Sequence, residues 1–203
     1  MFIVVTGPDG SGKTTVCKKL QFFLAKKLNE RSITIASVWD QYEDLFISQN
    51  HAQEYLKNLK GFSRSIFIFH AVQRALEIAN EKKNRIIIMD SYWYKYVVSE
   101  IGLGSKKESL YHLAKLFPVP DLTIYLDISP DIAMKRKKEI SNYEKGRSIG
   151  NNSEEQFLTF QKKLQPIWKE VAVKFGPWSS IQANQDSDLI IDHMFSIYLK
   201  KVA

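Results

Sequence analysis

The sequence contains a single cysteine, Cys17, among 203 residues. One cysteine excludes an internal disulfide framework and a metal site built from cysteines alone. Long apolar runs are missing as well: no window approaches the roughly 18 uninterrupted apolar residues of a membrane span, and the first apolar run ends at once in Gly-Pro-Asp-Gly. We therefore expect a cytoplasmic protein with no membrane association, in which Cys17 packs in the core.

Acidic residues are fewer than basic ones, since 22 Asp and Glu stand against 29 Lys and Arg, and the formal net charge is +7. A positive balance favours anionic ligands. The basic residues are spread over many segments and form none of the usual DNA or RNA fingerprints, so we expect a polyphosphate ligand and no nucleic acid. The length suits one domain spanning residues 1–203.

Five apolar, β-favouring runs alternate with amphipathic stretches in which apolar residues recur every three or four positions. Strands separated by helices require crossover connections, which predicts an α/β fold with a five-stranded parallel sheet flanked by helices. In such a sheet the ligand site lies at the carboxyl ends of the strands. The strands are expected at 2–6, 33–38, 85–90, 122–128 and, more weakly, 179–183.

The segment 141–155, SNYEKGRSIGNNSEE, is polar and carries two glycines. We expect a mobile loop between two helices, with Ser153 as the N-cap of the second helix. Pro166 falls inside the helical pattern that follows. Because proline lacks the backbone N–H that a helix uses, we expect a kink or a break at this residue.

The stretch GPDGSGKTT, residues 7–15, follows the first predicted strand and opens the first predicted helix. Gly7, Gly12, Lys13 and Thr14 match the pattern G-x-x-x-x-G-K-[ST], which is typical of the P-loop NTPase fold. Glycines let backbone N–H groups turn inward, and the helix adds the positive end of its dipole. We expect Lys13 to reach the β- and γ-phosphates of a nucleoside triphosphate, and the Thr14 hydroxyl to bind Mg²⁺.

An acidic residue, Asp90, ends the predicted strand RIIIMD. A carboxylate at the end of a strand beside a phosphate loop can hold Mg²⁺ through the water shell of the ion. Asp127 ends the strand LTIYLD in the same way. For Asp127 a helix-capping or structural role is supported equally well.

A phosphate loop alone does not separate switches, motors and kinases. The sequence has no NKxD guanine-reading motif and no extra domain to act as a motor lever. After the fourth strand it has a helix carrying Arg136 and a basic loop with Lys145 and Arg147. A kinase needs such a lid, at about 141–153, because a closed cationic flap excludes water and stabilises the charge on the transferred group.

Four stretches resemble the thymidylate kinase family, and they occur in the family's order over nearly the whole chain. GPDGSGKTT is similar to the phosphate loop of the family, including the acid Asp9, and HAVQRAL is similar to a helix whose arginine faces the pyrimidine. PDLTIYLDISPDIAMKRK resembles the fourth strand and the helix after it, and IQANQDSDLI resembles the loop that lies against the adenine.

The resemblance implies ATP and Mg²⁺ as the phosphate donor, a deoxynucleotide-like acceptor and a homodimer. It implies that Asp9 touches the acceptor sugar or organises the acceptor side, that Arg74 faces the pyrimidine, and that Arg136 lies near the adenine. Lys145 and Arg147 resemble the lid cations of the branch whose phosphate loop lacks an arginine, the position that Gly10 takes here. The implied ATP-binding residues are Gly7, Gly10, Ser11, Gly12, Lys13, Thr14, Thr15, Arg136 and Asn184.

Two departures from the family pattern lie on the acceptor side. The family reads Asp-Arg-Tyr where this chain has Asp90-Ser91-Tyr92, and an Arg-Glu-Pro-Gly-Gly run where it has VWDQYEDLF, with Trp39 and Asp40 at the places of the arginine and the acid. Each arginine on a buried phosphate contributes about 1.5 to 3 kcal/mol. We expect Lys95 and Arg64 to replace these charges if the acceptor carries a phosphate.

The other interpretation is that the acceptor carries no phosphate. An aromatic-rich pocket would then hold a nucleoside or another planar acceptor, with Asp40 as the general base. Core packing is the competing role for every one of these aromatic residues. The pocket residues of this interpretation are Trp39, Tyr42, Phe69, His70, Tyr92 and Trp93.

The first choice from the sequence is a thymidylate kinase-like enzyme that transfers the γ-phosphate of ATP to a nucleoside monophosphate, with dTMP as the first candidate. The alternatives are a nucleoside or other small-molecule kinase with a changed acceptor, and a catalytically decayed nucleotide-binding protein, which the missing arginines favour. Intact Lys13, Thr14 and Asp90 argue against decay. A nucleic-acid-processing role has only the net charge in its favour.

Overall fold

The computed structural model describes residues 1–29, 32–39, 49–146 and 149–202, which contain five strands and nine helices. The strands are β1 (Phe2–Thr6), β2 (Ile33–Ser37), β3 (Ile86–Asp90), β4 (Leu122–Asp127) and β5 (Ser179–Gln182). The helices are α1 (Lys13–Leu28), α2 (Gln49–Asn58), α3 (Gly61–Glu81), α4 (Trp93–Gly102), α5 (Lys107–Ala114), α6 (Pro130–Arg136), α7 (Asn142–Lys145), α8 (Ser153–Phe175) and α9 (Ser187–Val202).

The five strands form one parallel sheet in the order β2-β3-β1-β4-β5. Each predicted strand is present within one residue of the predicted bounds, because buried β-branched runs of this length have few other stable conformations in an α/β protein. The register pairs Val5 with Asp90 and Ser37 with Asp90. The carboxyl ends of β1, β2 and β3 therefore meet where the phosphate loop begins.

Helices cover both faces of the sheet, and each face has its own apolar core. On one face α3, α4, α5 and α8 pack around an aromatic-rich core that includes Tyr92 and Trp93. On the other face α1 and α9 pack on Ile3, Val5 and Ile88, and Cys17 is fully buried there, as predicted. Burial of these apolar side chains is the main favourable term that holds the layers together.

The segment after α6 differs in detail from the sequence-based prediction. It contains α7, which begins at a capping box in which Ser141 and Glu144 satisfy each other's backbone N–H groups. The N-cap of α8 is Asn152 and not Ser153, because the Asn152 side chain accepts the Glu155 N–H at 2.9 Å. α8 runs through Pro166 without a break. Its buried residues Phe160, Leu164 and Trp168 lie on both sides of the proline and hold the helix together by packing.

Among the described residues, no helix combines the length and the apolar character that crossing a membrane requires.

Candidate active site

The phosphate loop follows β1 in a conformation that only glycine adopts readily. Gly7 has φ of 148° and Gly10 has φ of 81°, both in the region that disfavours side chains. A Cβ on Gly7 would lie 2.6 Å from the Leu126 carbonyl oxygen, and a Cβ on Gly10 would lie 2.6 Å from the Ala133 carbonyl oxygen of α6. The loop therefore packs directly on backbone, and α6 leaves no space for an arginine at position 10.

Lys13 begins α1 and is buried in the loop. Its Nζ donates to the carbonyl oxygens of Gly7 at 3.0 Å and Pro8 at 2.7 Å, and it lies 3.4 Å from Ser11 Oγ. Burial lowers the pKa of Lys13 from 10.5 to about 8, and the positive charge of Lys95 adds to this effect. The ammonium group is thus held on weak neutral partners, which a phosphate can replace with a stronger charged one.

Thr14 and Asp90 meet at the carboxyl edge of the sheet, as predicted. The Thr14 hydroxyl donates to Asp90 Oδ2 at 2.5 Å, and the Ser91 hydroxyl donates to Asp90 Oδ1 at 2.9 Å. These are hard oxygen atoms beside a phosphate-binding loop, which is the donor set that Mg²⁺ prefers when it also binds phosphates and water. The residues therefore fit a magnesium ion held by the Thr14 hydroxyl and, through water, by Asp90.

Asp9 and Lys95 form a buried ion pair next to the loop, with Asp9 Oδ1 2.5 Å from Lys95 Nζ. Burial alone would raise the pKa of Asp9, but attraction to Lys95 and Lys13 outweighs burial, and the pKa lies below its ordinary value. The pKa of Lys95 is raised, because the Asp9 carboxylate outweighs the effect of burial on the ammonium group. Both groups are therefore charged at neutral pH.

Two connected cavities open at this edge of the sheet. The loop cavity, of about 580 Å³, is lined by residues of the phosphate loop and by Asp90 and Ser91. The large cavity, of about 1030 Å³, extends away from the loop between α2, α3, α4 and the segment after α6. The side chains that line both cavities are Trp39, Lys95, Tyr96, Lys137 and Glu144.

An ion pair and an aromatic ring line the large cavity but not the loop cavity. Arg64 Nε lies 2.9 Å from Glu100 Oε1, and Arg64 Nη1 donates to the Leu56 carbonyl oxygen at 2.8 Å. The Tyr143 ring of α7 lies over the guanidinium group, 4.9 Å from Cζ. Burial raises the pKa of Glu100, and Arg64 offsets part of this rise. The predicted replacement cation Arg64 thus lines the large cavity and not the loop cavity.

Lys137 follows α6 and reaches the boundary between the cavities. Its Nζ lies 2.5 Å from Glu144 Oε1, and its positive charge helps to lower the pKa of Asp9. Lys137 is therefore a cation that lines both cavities. The sequence analysis missed it because it is one of several basic residues in the run MKRKK.

Most of the predicted phosphate-loop residues come together as expected. Trp39 and Lys95 line both cavities. Ser11 is buried beneath the loop, where its hydroxyl faces Lys13. The loop cavity is lined by the predicted residues Asp9, Gly10, Gly12, Lys13, Thr14, Thr15 and Asp90.

Three predicted acceptor residues lie elsewhere. Tyr92 is fully buried and donates its hydroxyl to the Pro118 carbonyl oxygen at 2.9 Å, so the prediction that it contacts the acceptor is wrong and core packing prevails. Arg74 lies one turn beyond the part of α3 that lines the large cavity, and it forms ion pairs with Glu77 and Glu81 of its own helix. His70 is exposed on α3 and lines neither cavity.

Three of the predicted adenine and lid residues, Arg136, Asn184 and Lys145, line neither cavity. Arg136 and Asn184 are exposed, and their assignment to the adenine stays a prediction. Lys145 donates to Ser153 Oγ at 3.3 Å and lines neither cavity. Asp40 and Arg147 lie outside the described residues, so the structure gives no position for the proposed general base or for the second lid cation.

The cavity residues that were not found from the sequence include Tyr96, Glu100, Lys137 and Tyr143. One signal was available for Glu100, because it is an acid in the otherwise apolar helix stretch YVVSEIG and is almost fully buried. A buried carboxylate in such a helix requires a cationic partner, and Arg64 is that partner. Tyr143 acquires its role only when α7 folds back over the cavity.

A phosphate loop between the central strand and α1, with an acid at the end of the neighbouring strand, defines a P-loop nucleotide-binding α/β protein. Residues 5–192 match the family model described as thymidylate kinase. The chain therefore belongs to the thymidylate kinase family, and the predicted family and fold are confirmed.

Curated relatives agree with the family assignment, and solved structures agree with the fold. The chain is 30% identical to the probable thymidylate kinase of Staphylothermus marinus over 156 residues, 71% of this chain and 73% of the relative. It is 27% identical to the probable thymidylate kinase of Sulfolobus acidocaldarius over 205 residues, 97% of this chain and 96% of the relative. Thymidylate kinase from Ehrlichia chaffeensis has a similar fold, with a TM-score of 0.68, 17% identity and 98% of each chain covered. Deoxyadenosine kinase from M. mycoides with bound dATP has a TM-score of 0.62, 22% identity and coverage of 98% of this chain and 99% of its own.

Proposed function

We propose that this chain transfers the γ-phosphate of ATP to the phosphate group of dTMP, giving ADP and dTDP. The single observation that carries the proposal is the position of Lys95. It lines both the loop cavity and the large cavity and is paired with Asp9 of the phosphate loop. A cation at this boundary supplies charge where the acceptor phosphate must meet the γ-phosphate, although the arginine after Asp90 is missing.

The loop cavity is the proposed ATP site. The phosphate loop and the amino end of α1 line this cavity together, and backbone N–H groups at such a helix terminus favour the β- and γ-phosphates. Lys13 exchanges its carbonyl partners for the phosphates. Charge on the transferred group is then stabilised by Lys13, Lys95 and Lys137, which act as fixed positive groups and need no rearrangement during the reaction.

The magnesium ion belongs to the same proposal. Thr14 and Asp90 would hold it, and when bound it neutralises charge on the β- and γ-phosphates. Asp90 is held for this task by the Thr14 and Ser91 hydroxyls, one on each carboxylate oxygen. Its carboxylate is thereby oriented towards the cavity before any ligand enters.

The large cavity is the proposed acceptor site. Its phosphate-proximal end is formed by Lys95, Tyr96 and Lys137, and the remote end by Arg64 and Glu100. This order suits a nucleotide, with the phosphate towards the loop and the base towards the remote ion pair. Trp39 and Tyr96 offer aromatic surface between the two ends, which suits the sugar and base of the acceptor.

The lid at about 141–153, with Lys145 and Arg147, is a further part of the proposal, as are the adenine contacts of Arg136 and Asn184. Lys145 reaches the phosphates only if its contact with Ser153 is exchanged. A homodimer also stays a prediction, which sedimentation of the purified protein tests.

A nucleoside kinase is the second candidate, and the observation that favours it is the Ser91 side chain where the family has an arginine. The Ser91 hydroxyl is turned onto Asp90 and carries no charge for an acceptor phosphate. Under this alternative, Lys95 would serve only to neutralise Asp9.

The experiment is an acceptor panel. Purified protein is incubated with ATP and Mg²⁺ and with dTMP, other nucleoside monophosphates or free thymidine, one at a time, and products are separated by chromatography. We expect dTDP and ADP in equal amounts with dTMP and no product with thymidine. Formation of dTMP from thymidine would establish the second candidate, and absence of any product with retained ATP binding would remove the claim of catalysis. Lys13→Met is the inactive control.

A further inference from the structure

We propose that Tyr143 is a positioning residue that ties the lid helix α7 to the wall of the large cavity and so directs the γ-phosphate to the acceptor instead of to water. The inference rests on the proposed function. It concerns a residue that the sequence analysis did not assign.

Tyr143 joins the lid to two helices that are packed on the sheet. Its ring lies 4.9 Å from the guanidinium carbon of Arg64 on α3, and its hydroxyl lies 3.5 Å from Glu100 Oε1 on α4. Arg64 itself is held by Glu100 and by the Leu56 carbonyl oxygen. The ring therefore packs on a guanidinium group that is itself held in place. This contact gives the lid a fixed position against α3.

The neighbouring residue, Glu144, forms an ion pair with Lys137 at the loop cavity. Its carboxylate lies 2.5 Å from Lys137 Nζ, and both residues line the loop cavity as well as the large one. The capping box between Ser141 and Glu144 fixes the backbone of this four-residue helix. Because Tyr143 and Glu144 are adjacent in a rigid turn, a movement of α7 changes the contacts at both cavities together.

The carboxyl end of α7 is held by α8. Gln161 Nε2 donates to the Glu144 carbonyl oxygen at 3.4 Å, and a Cβ on Gly146 would lie 2.5 Å from the Phe160 ring. This end of the lid is therefore packed against a long helix. The opposite side of α7 reaches α3 and α4 through the Tyr143 side chain, so Tyr143 controls whether the lid lies on the acceptor cavity.

The chemical consequence is a partition between two nucleophiles. In transfer, an oxygen of the acceptor phosphate forms a bond to the γ-phosphorus while the bond from that phosphorus to the bridging β-oxygen breaks, and ADP leaves. In hydrolysis a water oxygen takes the place of the acceptor, inorganic phosphate forms and a proton goes to solvent. A closed lid suppresses the second reaction because it excludes water, and it favours the first because it holds the site in the arrangement that transfer needs.

The ring and the hydroxyl of Tyr143 contribute unequally. The contact between the ring and Arg64 is partly desolvated, because the Arg64 side chain is only 14% exposed. The hydroxyl contact with Glu100, at 3.5 Å, is at the limit of a hydrogen bond. We therefore expect Tyr143→Phe to behave nearly like the wild type, and Tyr143→Ala to release the lid.

The test measures ADP and dTDP separately during turnover with saturating ATP, Mg²⁺ and dTMP, for the wild type, Tyr143→Phe and Tyr143→Ala. Tyr111→Phe is the matched control, since its hydroxyl also contacts a glutamate, Glu170 at 3.0 Å, but it lines neither cavity. Thermal unfolding confirms that each variant is folded. Hydrogen exchange of the α7 amides reports whether the lid has been released.

For the wild type and both phenylalanine variants we expect one ADP per dTDP. For Tyr143→Ala we expect dTDP formation to fall by about ten- to thirtyfold, as the loss of a desolvated cation–π contact implies. We also expect ADP to exceed dTDP clearly, together with faster exchange in α7. A Tyr143→Ala variant that is slower but still yields one ADP per dTDP would overturn the proposal, because Tyr143 would then only help to bind the acceptor.

The outcome separates this inference from the proposed function. If the wild type phosphorylates no acceptor, the proposed function fails. The role of Tyr143 can then still be tested, by measuring the rate of ATP hydrolysis without acceptor in each variant. An increase of that rate in Tyr143→Ala alone supports the water-excluding role of Tyr143. An unchanged rate in a folded variant rejects it.

Discussion

Lys95 Nζ lies 2.5 Å from Asp9 Oδ1, at the boundary between a cavity around the phosphate loop and a larger one beside it. The pair links α4, which follows Asp90 at the end of β3, to the phosphate loop itself. In this chain the family's arginine after Asp90 is replaced by Ser91, and the cation appears one helical turn further on. Under the proposed function, Lys95 supplies the positive charge at the transfer point that this arginine would otherwise give.

Removal of the Lys95 charge is expected to impair use of the acceptor more than use of ATP. For Lys95→Gln we predict that kcat/KM for dTMP falls by about 10- to 150-fold, the equivalent of one charged hydrogen bond of about 1.5 to 3 kcal/mol. The KM for ATP should change less, because Lys13 and the loop backbone remain. Steady-state kinetics with each substrate varied in turn measures the difference.

Lys95→Gln leaves the buried Asp9 carboxylate without its partner, and a control variant tests the effect of this unpaired charge. Asp9→Asn/Lys95→Gln removes both charges and should recover thermal stability relative to Lys95→Gln, since an unpaired buried charge is the costly state. Lys107→Gln removes a surface ion pair with Glu170 that lines neither cavity, and should act like the wild type. Equal loss for both substrates in Lys95→Gln would contradict a role at the acceptor.

Asp90 and Asp127 form a natural pair for testing the magnesium site, because both end a strand of the same sheet. Asp90 lines the loop cavity, whereas Asp127 accepts a hydrogen bond from Gln182 at 2.9 Å and lines neither cavity. We predict that Asp90→Asn needs a much higher Mg²⁺ concentration for half-maximal activity, and that Asp127→Asn needs the same concentration as the wild type. A magnesium titration of the initial rate decides between them, and equal curves for all three proteins would remove Asp90 from the site.

ATP binding is expected to weaken at alkaline pH because the pKa of Lys13 is lowered to about 8 by burial and by Lys95. Below this pH the free protein carries the charge that the phosphates need. Above it, the lysine is neutral and must take up a proton when ATP binds, so the Kd for ATP should rise by up to about tenfold per pH unit. Calorimetric titration at pH 8.5 to 9 in buffers of different ionisation enthalpy measures the proton uptake directly.

The matching control is Lys13→Met, which should bind ATP weakly and with little dependence on pH in this range. A wild-type Kd that stays constant from pH 7 to 9 would show that Lys13 keeps its proton in the free protein. Burial of the charged ammonium group among neutral oxygen atoms would then cost less free energy than the structure implies.

Gly146 is expected to be intolerant of any side chain, since its φ is 60° and a Cβ would lie 2.5 Å from the buried Phe160 ring. We predict that Gly146→Ala loses about 1 to 3 kcal/mol from a backbone conformation that essentially only glycine adopts, and about 1 to 3 kcal/mol from overpacking. Gly104 also has a positive φ, of 98°, but a Cβ there meets nothing within 4 Å. Gly104→Ala should therefore show the backbone cost alone, and denaturant unfolding of the two variants compares them. Equal losses would mean that the Phe160 ring moves aside.

The fold and the ATP-binding side of the site could be predicted from the sequence, because both depend on local patterns. Buried β-branched runs determine the strands, and the spacing of Gly7, Gly12, Lys13 and Thr14 requires a loop between a strand and a helix. The meeting of Thr14 with Asp90 follows as soon as β1 and β3 are neighbours. In the observed strand order, β1 and β3 are adjacent.

The acceptor side depends on how helices fold back over the sheet, and local patterns do not determine this. Tyr92 and Lys95 are three residues apart on the same segment, yet Tyr92 enters the core and Lys95 enters the cavities. Both Arg64 and Arg74 of α3 were expected at the acceptor, but only Arg64 lines the large cavity, where a glutamate from another helix holds it, whereas Arg74 pairs with a glutamate of its own helix. Contacts across elements, such as those of Tyr143, have no sequence signature within their own segment.

The most direct test of the central claim uses ATP labelled with ¹⁸O in the γ-phosphate, with dTMP as acceptor, and mass spectrometry of the nucleotide product. The account predicts dTDP that carries the label in its terminal phosphate, formed in step with ADP, by the wild type but not by Lys13→Met. Label found only in inorganic phosphate, or in dTMP made from added thymidine, would contradict the claim that this site joins the γ-phosphate of ATP to a nucleoside monophosphate.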